Sequence, residues 1–164
     1  MIQVEFNSLA VDTRGLPVVL LRPKDPHDDP VHVLPIWIGM QEASAIVVAA
    51  QGAVTARPMA YDLMVRLLDA LQGSVVQVAV TRLEEGTFYA EITLDTPFGR
   101  QVIDARPSDS VALALRVEAP IFVAEAVLRE AGIPAELITE QDEESQIEEF
   151  NEFLDSVDPD DFRG

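Results

Sequence analysis

The densest chemistry in the chain lies in six residues, Asp104-Ala105-Arg106-Pro107-Ser108-Asp109. Two carboxylates, a guanidinium and a hydroxyl fall where a strand pattern hands over to a helix pattern. Free backbone N–H groups at a helix start favour anions, so with Arg106 and Ser108 they could hold a phosphate. Asp104 and Asp109 could instead ligate Mg²⁺ through oxygen. The plainer reading is structural: Ser108 or Asp109 caps the helix, and Asp104 pairs with Arg106 or another nearby arginine.

A second stretch, Arg57-Pro58-Met59-Ala60-Tyr61-Asp62, again sets an arginine and an acid at a helix start. Its plainer reading is a first turn with a surface ion pair, which contributes little. Glu42, just beyond Trp37-Ile38-Gly39, is a third acid at a strand–helix junction, where it also suits the helix dipole. His27 and His32 could join Asp25, Asp28 and Asp29 at a metal, but a solvated loop is the simpler reading. There is no cysteine, and no dinucleotide-binding or P-loop pattern occurs. Ser108 has no histidine nearby in sequence to activate it. Glu42, Arg57, Asp62, Asp104, Arg106 and Asp109 are therefore expected to converge on one site.

The elements that must position these groups can be read from periodicity. Strands are predicted at 2–6, 16–21, 31–38, 76–80, 88–94, 100–105 and 120–123, with Glu85-Gly86 in a hairpin turn. Helices are predicted at 43–50, 58–72, 111–118 and 124–131. The second carries the apolar stripe Met59, Leu63, Met64, Leu67, Leu68 and Leu71, with Asp62 and Arg66 paired at i,i+4. Hairpins interleaved with helices imply an α+β fold, a mixed and largely antiparallel sheet with helices packed on it.

The 164 residues suit one domain with an appendage. Residues 1–133 are expected to form the domain and 134–164 an acidic tail. The tail has 12 acids against the single base Arg163. Within it, Ile147, Phe150, Phe153, Leu154 and Val157 mark an amphipathic helix over about 143–157. The net charge of -18 argues against passive neutralisation of nucleic-acid phosphates and against anionic membrane surfaces. The opening Met1-Ile2-Gln3-Val4-Glu5 lacks the features of a signal peptide, and no apolar run approaches a membrane span. A cytoplasmic protein without membrane contact is expected. Apolar residues make up 70 of the first 133, and runs such as Val18-Val19-Leu20-Leu21 predict a homo-oligomer, most simply a dimer.

These motifs resemble the bifunctional nuclease family, also called domain of unknown function 151. The resemblance rests on Leu34-Pro35-Ile36-Trp37-Ile38-Gly39 with Glu42-Ala43, on Arg57-Pro58 with Asp62-Leu63, and on Glu85-Gly86-Thr87-Phe88-Tyr89-Ala90. Asp104-Ala105-Arg106-Pro107-Ser108-Asp109-Ser110 with Ala112-Leu113-Ala114, and Pro120-Ile121-Phe122-Val123, complete it. It covers about residues 1–132. Ser110-Val111 and the tail ending Pro159-Asp160-Asp161-Phe162 look most like actinobacterial members. The family name reports DNase and RNase activity in plant members. Members usually carry Thr-His where this chain has Ala60-Tyr61. Tyrosine, with an ordinary pKa near 10, is a poor base at neutral pH.

Two functions follow. In the first, the chain is a metal-dependent nuclease acting on DNA or RNA. Glu42, Asp62, Asp104 and Asp109 would be its catalytic acids. Asp104 and Asp109 would hold Mg²⁺ or Mn²⁺, and Arg57, Arg106 and Ser108 would bind phosphate. In the alternative, it is a non-catalytic oligomeric module that binds a small anionic ligand, or a protein partner through the acidic tail.

Overall fold

The computed structural model describes residues 1–26, 30–53 and 55–138. The tail helix expected over 143–157 and the His27 loop lie outside them. Among the described residues one eight-stranded sheet carries three helices, and a fourth packs on one of those helices, the α+β architecture expected. The strands are β1 (Ile2–Val11), β2 (Pro17–Pro23), β3 (His32–Trp37), β4 (Ser74–Glu84), β5 (Thr87–Thr96), β6 (Gly99–Ala105), β7 (Ile121–Val123) and β8 (Ile133–Pro134). The helices are α1 (Met40–Ala50), α2 (Ala60–Ala70), α3 (Pro107–Val117) and α4 (Glu125–Ala131). Among the described residues no helix is long and apolar enough to cross a membrane.

The sheet runs β6-β5-β4-β7-β1-β2-β3-β8. Every neighbouring pair is antiparallel except β4 and β7. A parallel pair needs a crossover, and the chain between these two strands includes α3. The helix is thereby drawn across the sheet, where it packs on β4 and β5 and against α1 and α2. Its Ser110, Val111, Ala112, Leu113 and Ala114 are buried. The small side chains let α1, through Ala43, Ala45 and Ile46, approach closely.

Several local expectations change. Helix α3 begins at Pro107, with Arg106 as its N-cap and no side-chain cap. Proline fits the first helical position because its missing N–H is not needed there, so Ser108 and Asp109 fall inside the helix. Helix α2 is amphipathic, but Tyr61 is its only buried residue; Leu63, Met64, Leu67 and Leu71 are exposed. Ile133 and Pro134 pair with Val33 and His32, and a 3₁₀ turn follows at Ala135–Leu137. A two-residue edge strand leaves almost no periodicity to read. The Glu85-Gly86 turn matches its expectation: both residues have positive φ, 50° and 78°, as a tight two-residue hairpin requires.

Candidate functional site

The cleft of interest, about 420 Å³, lies where the ends of β3 and β6 and the β4–β5 turn meet the starts of α1 and α3. Ile36, Trp37, Ile38, Gly39, Glu42, Gly86, Thr87, Phe88, Arg106, Pro107 and Ser108 line it. Strand ends deliver these groups because β3 runs directly into α1, and β6 into α3. Both N-caps, Gly39 and Arg106, lack a side-chain cap. First-turn N–H groups have no partner within their own helix.

Arg106 is the hub. Its Nη1 pairs with Glu42 Oε1 at 2.9 Å. Its Nε and Nη2 donate to Asp109 Oδ2 and Oδ1 at 2.7 and 3.0 Å. A guanidinium has five N–H groups, so two remain for a ligand, and the side chain is 66% exposed. Glu42 lies back over its own N-cap, so closely that a β-carbon at Gly39 would collide with its carboxylate. Space, not backbone conformation, is what favours glycine there, since φ is an ordinary -82° and a β-carbon would require the Glu42 side chain to move. Ser108 is buried against the cleft.

Behind the hub lies a second layer. The Tyr61 hydroxyl donates to Asp109 Oδ1 at 2.7 Å, across 48 residues of sequence. Burial, then this bond and the Asp109 and Glu42 charges, push the Tyr61 pKa well up, with Arg106 opposing. Burial raises the Asp109 carboxyl, but the bonds from Arg106 and Tyr61 outweigh it, so its pKa lies below the ordinary value. The bond to Asp109, with a smaller part from Glu42, raises the Arg106 pKa further. All three therefore keep their ordinary neutral-pH states: Tyr61 protonated, Asp109 ionised and Arg106 charged.

Asp62 pairs with Arg116 Nε at 2.9 Å rather than with Arg66. Arg116 is only 7% exposed in its side chain. Its Nη1 also donates to the carbonyls of Ala45 and Ala112 at 3.0 and 3.2 Å. Its Nη2 has no hydrogen-bond acceptor, but its Cζ lies 5.2 Å from the Tyr61 ring centroid, a cation–π contact. Arg116 thus ties α1, α2 and α3 together. Asp62 also accepts from the Met59 N–H at 2.8 Å, fixing the start of α2. Burial pushes its pKa up, but the hydrogen bonds from the Met59 N–H and Arg116, with the Arg116 and Arg66 charges, bring it below the ordinary value.

The structure therefore joins Glu42, Arg106 and Ser108 at the cleft, with Asp109 bonded to Arg106 behind them and Tyr61 and Asp62 in the same second layer. Asp104 stands apart. It pairs with Glu91 on β5, while the next residue, Ala105, pairs with the buried Ala90. Successive strand residues face opposite sides, so Asp104 points away from the core face on which α3 packs. Arg57 is exposed in the approach to α2, where its carbonyl accepts from Thr55 Oγ1 at 2.6 Å. Two contributors are missing from the sequence reading. One is Arg116, a lone base in an apolar helix pattern. The other is Asp12, whose Oδ2 accepts from the Trp37 indole at 3.1 Å and so fixes that ring. Hydrogen bonds, led by the Leu16 N–H, hold the Asp12 carboxyl at about 2.

The same donor set bears on a resident cation. Glu42 and Asp109 are both engaged by Arg106, and Asp104 faces elsewhere. Among the described residues no three His, Asp or Glu side chains gather as ligands. As arranged, these residues do not fit a divalent ion.

Comparison with known proteins places the whole cleft inside a recognised unit. A family model described as the bifunctional nuclease domain matches residues 19–136. The uncharacterized protein MT1877 of Mycobacterium tuberculosis (strain CDC 1551 / Oshkosh) is 46% identical over 162 residues, covering 89% of this chain and 96% of that protein. The uncharacterized protein Rv1829 of Mycobacterium tuberculosis (strain ATCC 25618 / H37Rv) matches with the same identity and coverage.

Proposed function

Since the chain belongs to the bifunctional nuclease domain family, we propose that its cleft receives a backbone phosphate of DNA or RNA. The observation that carries this reading is the spare bonding capacity of Arg106 beside two helix starts without side-chain caps. Guanidinium N–H pairs and helix N-termini both suit phosphate oxygens. Trp37, half exposed, and Phe88 line the same cleft and offer faces on which an unpaired base can stack. Single-stranded nucleic acid therefore fits better than a duplex.

Glu42, Arg106 and Asp109 together carry a formal charge of -1. Attraction must come from directed N–H groups rather than from net charge, so binding is expected to be weak. The hub binds and orients; Tyr61, held protonated by burial and by Asp109, is not a base. Hydrolysis of the phosphodiester would be the nuclease activity that the family description suggests.

A second reading, a non-catalytic module for a protein partner, is favoured by exposed Leu63, Met64, Leu67 and Leu71 on α2. A nuclease assay with Mg²⁺, Mn²⁺ or EDTA separates the two. It includes Arg106→Ala and Asp104→Asn. Cleavage by the purified chain that disappears in Arg106→Ala supports the nuclease reading. Cleavage equal in all variants marks a contaminant, and oligonucleotide binding without cleavage leaves a phosphate-binding module.

A further inference from the structure

Strand β6 is one of the two outer strands of the sheet, the other being the two-residue β8. Gly99 through Asp104 are all exposed, including Val102 at 60% and Ile103 at 48%. A bare edge strand offers a row of unpaired N–H and C=O groups and is a ready template for another strand. Its sequence, Gly99-Arg100-Gln101-Val102-Ile103-Asp104-Ala105, has opposite charges placed symmetrically about Val102.

We infer that β6 pairs antiparallel with β6 of a second copy of this chain, on a two-fold axis at Val102. In that register Arg100 meets Asp104 of the other copy, twice over, and Gln101 meets Ile103. Directly opposite residues share a face of the sheet. Parallel in-register pairing would set Arg100 against Arg100. A one-residue slip would turn the apolar and charged sets to different faces.

The monomer supplies an electrostatic reason for this partner. Asp104 sits opposite Glu91 on β5, a like-charged pair that costs stability. Among the described residues the Asp104 side chain has no hydrogen bond or ion pair. Arg100 of the same strand stands opposite Asp95 instead, so an Arg100 from the second copy would set a cation directly beside Asp104. The register also carries the Phe98 turn, 94% exposed, to the Ala105–Arg106 end of the other strand. This pairing is independent of what the cleft binds.

The chain lacks cysteine, so Val102→Cys introduces one thiol. At the axis the two Cα atoms would lie about 4.5–5.5 Å apart, within disulfide range. Mild oxidation should convert Val102→Cys to a covalent dimer, while Phe98→Cys, whose copies lie at opposite ends of the paired strands, stays uncrosslinked. In sedimentation, Arg100→Asp alone and Asp104→Arg alone should each weaken the dimer by about ten-fold or more. Mixing these two variants should restore dimers, because each then meets its opposite. That rescue uses the same folded chains and so excludes misfolding as the cause. A monomer at micromolar concentration would overturn the inference. So would a dimer indifferent to both charge reversals, in particular one lost in Leu67→Asp, which would place the contact on α2.

Discussion

The Tyr61 hydroxyl and the Asp109 carboxylate meet at 2.7 Å, fastening the first turn of α2 to the first turn of α3. Asp109 in turn holds two donors of Arg106, so a contact far from the cleft floor fixes the group that faces it. Tyr61→Phe removes only the hydroxyl. It should cost about 1.5–3 kcal/mol, the range for a hydrogen bond to a charged group, read from urea unfolding midpoints. It should also loosen Arg106 and weaken ligand binding without emptying the cleft.

Arg116 predicts a larger effect. It is buried, paired with Asp62, and bonded to carbonyls of α1 and α3. Arg116→Ala should destabilise by about 3–5 kcal/mol, as removing one member of a buried pair does. Arg116→Lys should recover little, because one ammonium cannot span three acceptors in a planar fork. Chemical denaturation of both variants checks this.

Acid should destabilise the fold through identifiable groups. Asp62 and Asp109 have folded pKa values below the ordinary range, and Asp12 lies at about 2. Unfolded carboxyls of this type titrate near about 3.9. Their stabilising contribution is thus complete above that value and disappears as pH falls through the folded values. Stability should be level from neutrality to about pH 5 and then decline. Asp109→Asn should be less stable at pH 7 and show a shallower decline, measured by urea unfolding from pH 7 to 3.

Gly39→Ala tests the packing of Glu42 over its own N-cap. The backbone conformation suits alanine, and the colliding atoms end a flexible side chain. Stability should therefore change by less than about 1 kcal/mol, within the range of ordinary surface substitutions. The Glu42–Arg106 pair should nevertheless be lost. In a double-mutant cycle, the Glu42–Arg106 coupling present in the parent should vanish on the Gly39→Ala background.

The strands and helices were legible because alternation and 3.6-residue spacing persist over most of them. The short β8 was too brief to show a period. Glu42, Arg106 and Ser108 at the cleft, and Asp109 bonded behind Arg106, were legible because each stands at a strand–helix junction, where side chains emerge at the end of the sheet. Asp104 misled by proximity: it is two residues from Arg106, yet pleating turns it to the other face. Arg116 was hidden because its partners, Asp62 and the Ala45 carbonyl, lie 54 and 71 residues away. Only tertiary packing makes them neighbours. The α2 stripe was legible as apolar, but periodicity does not say what covers a face, and most of this one is exposed.

The central claim is that the cleft accepts a nucleic-acid phosphate at Arg106. Trp37 is the only tryptophan of the chain and lines that cleft, so its fluorescence reports occupancy directly. Titration with a short single-stranded oligonucleotide should change Trp37 emission saturably. The change should be lost in Arg106→Ala and retained in the control Arg66→Ala. No emission change at any oligonucleotide concentration, or an unaltered titration in Arg106→Ala, would contradict the account.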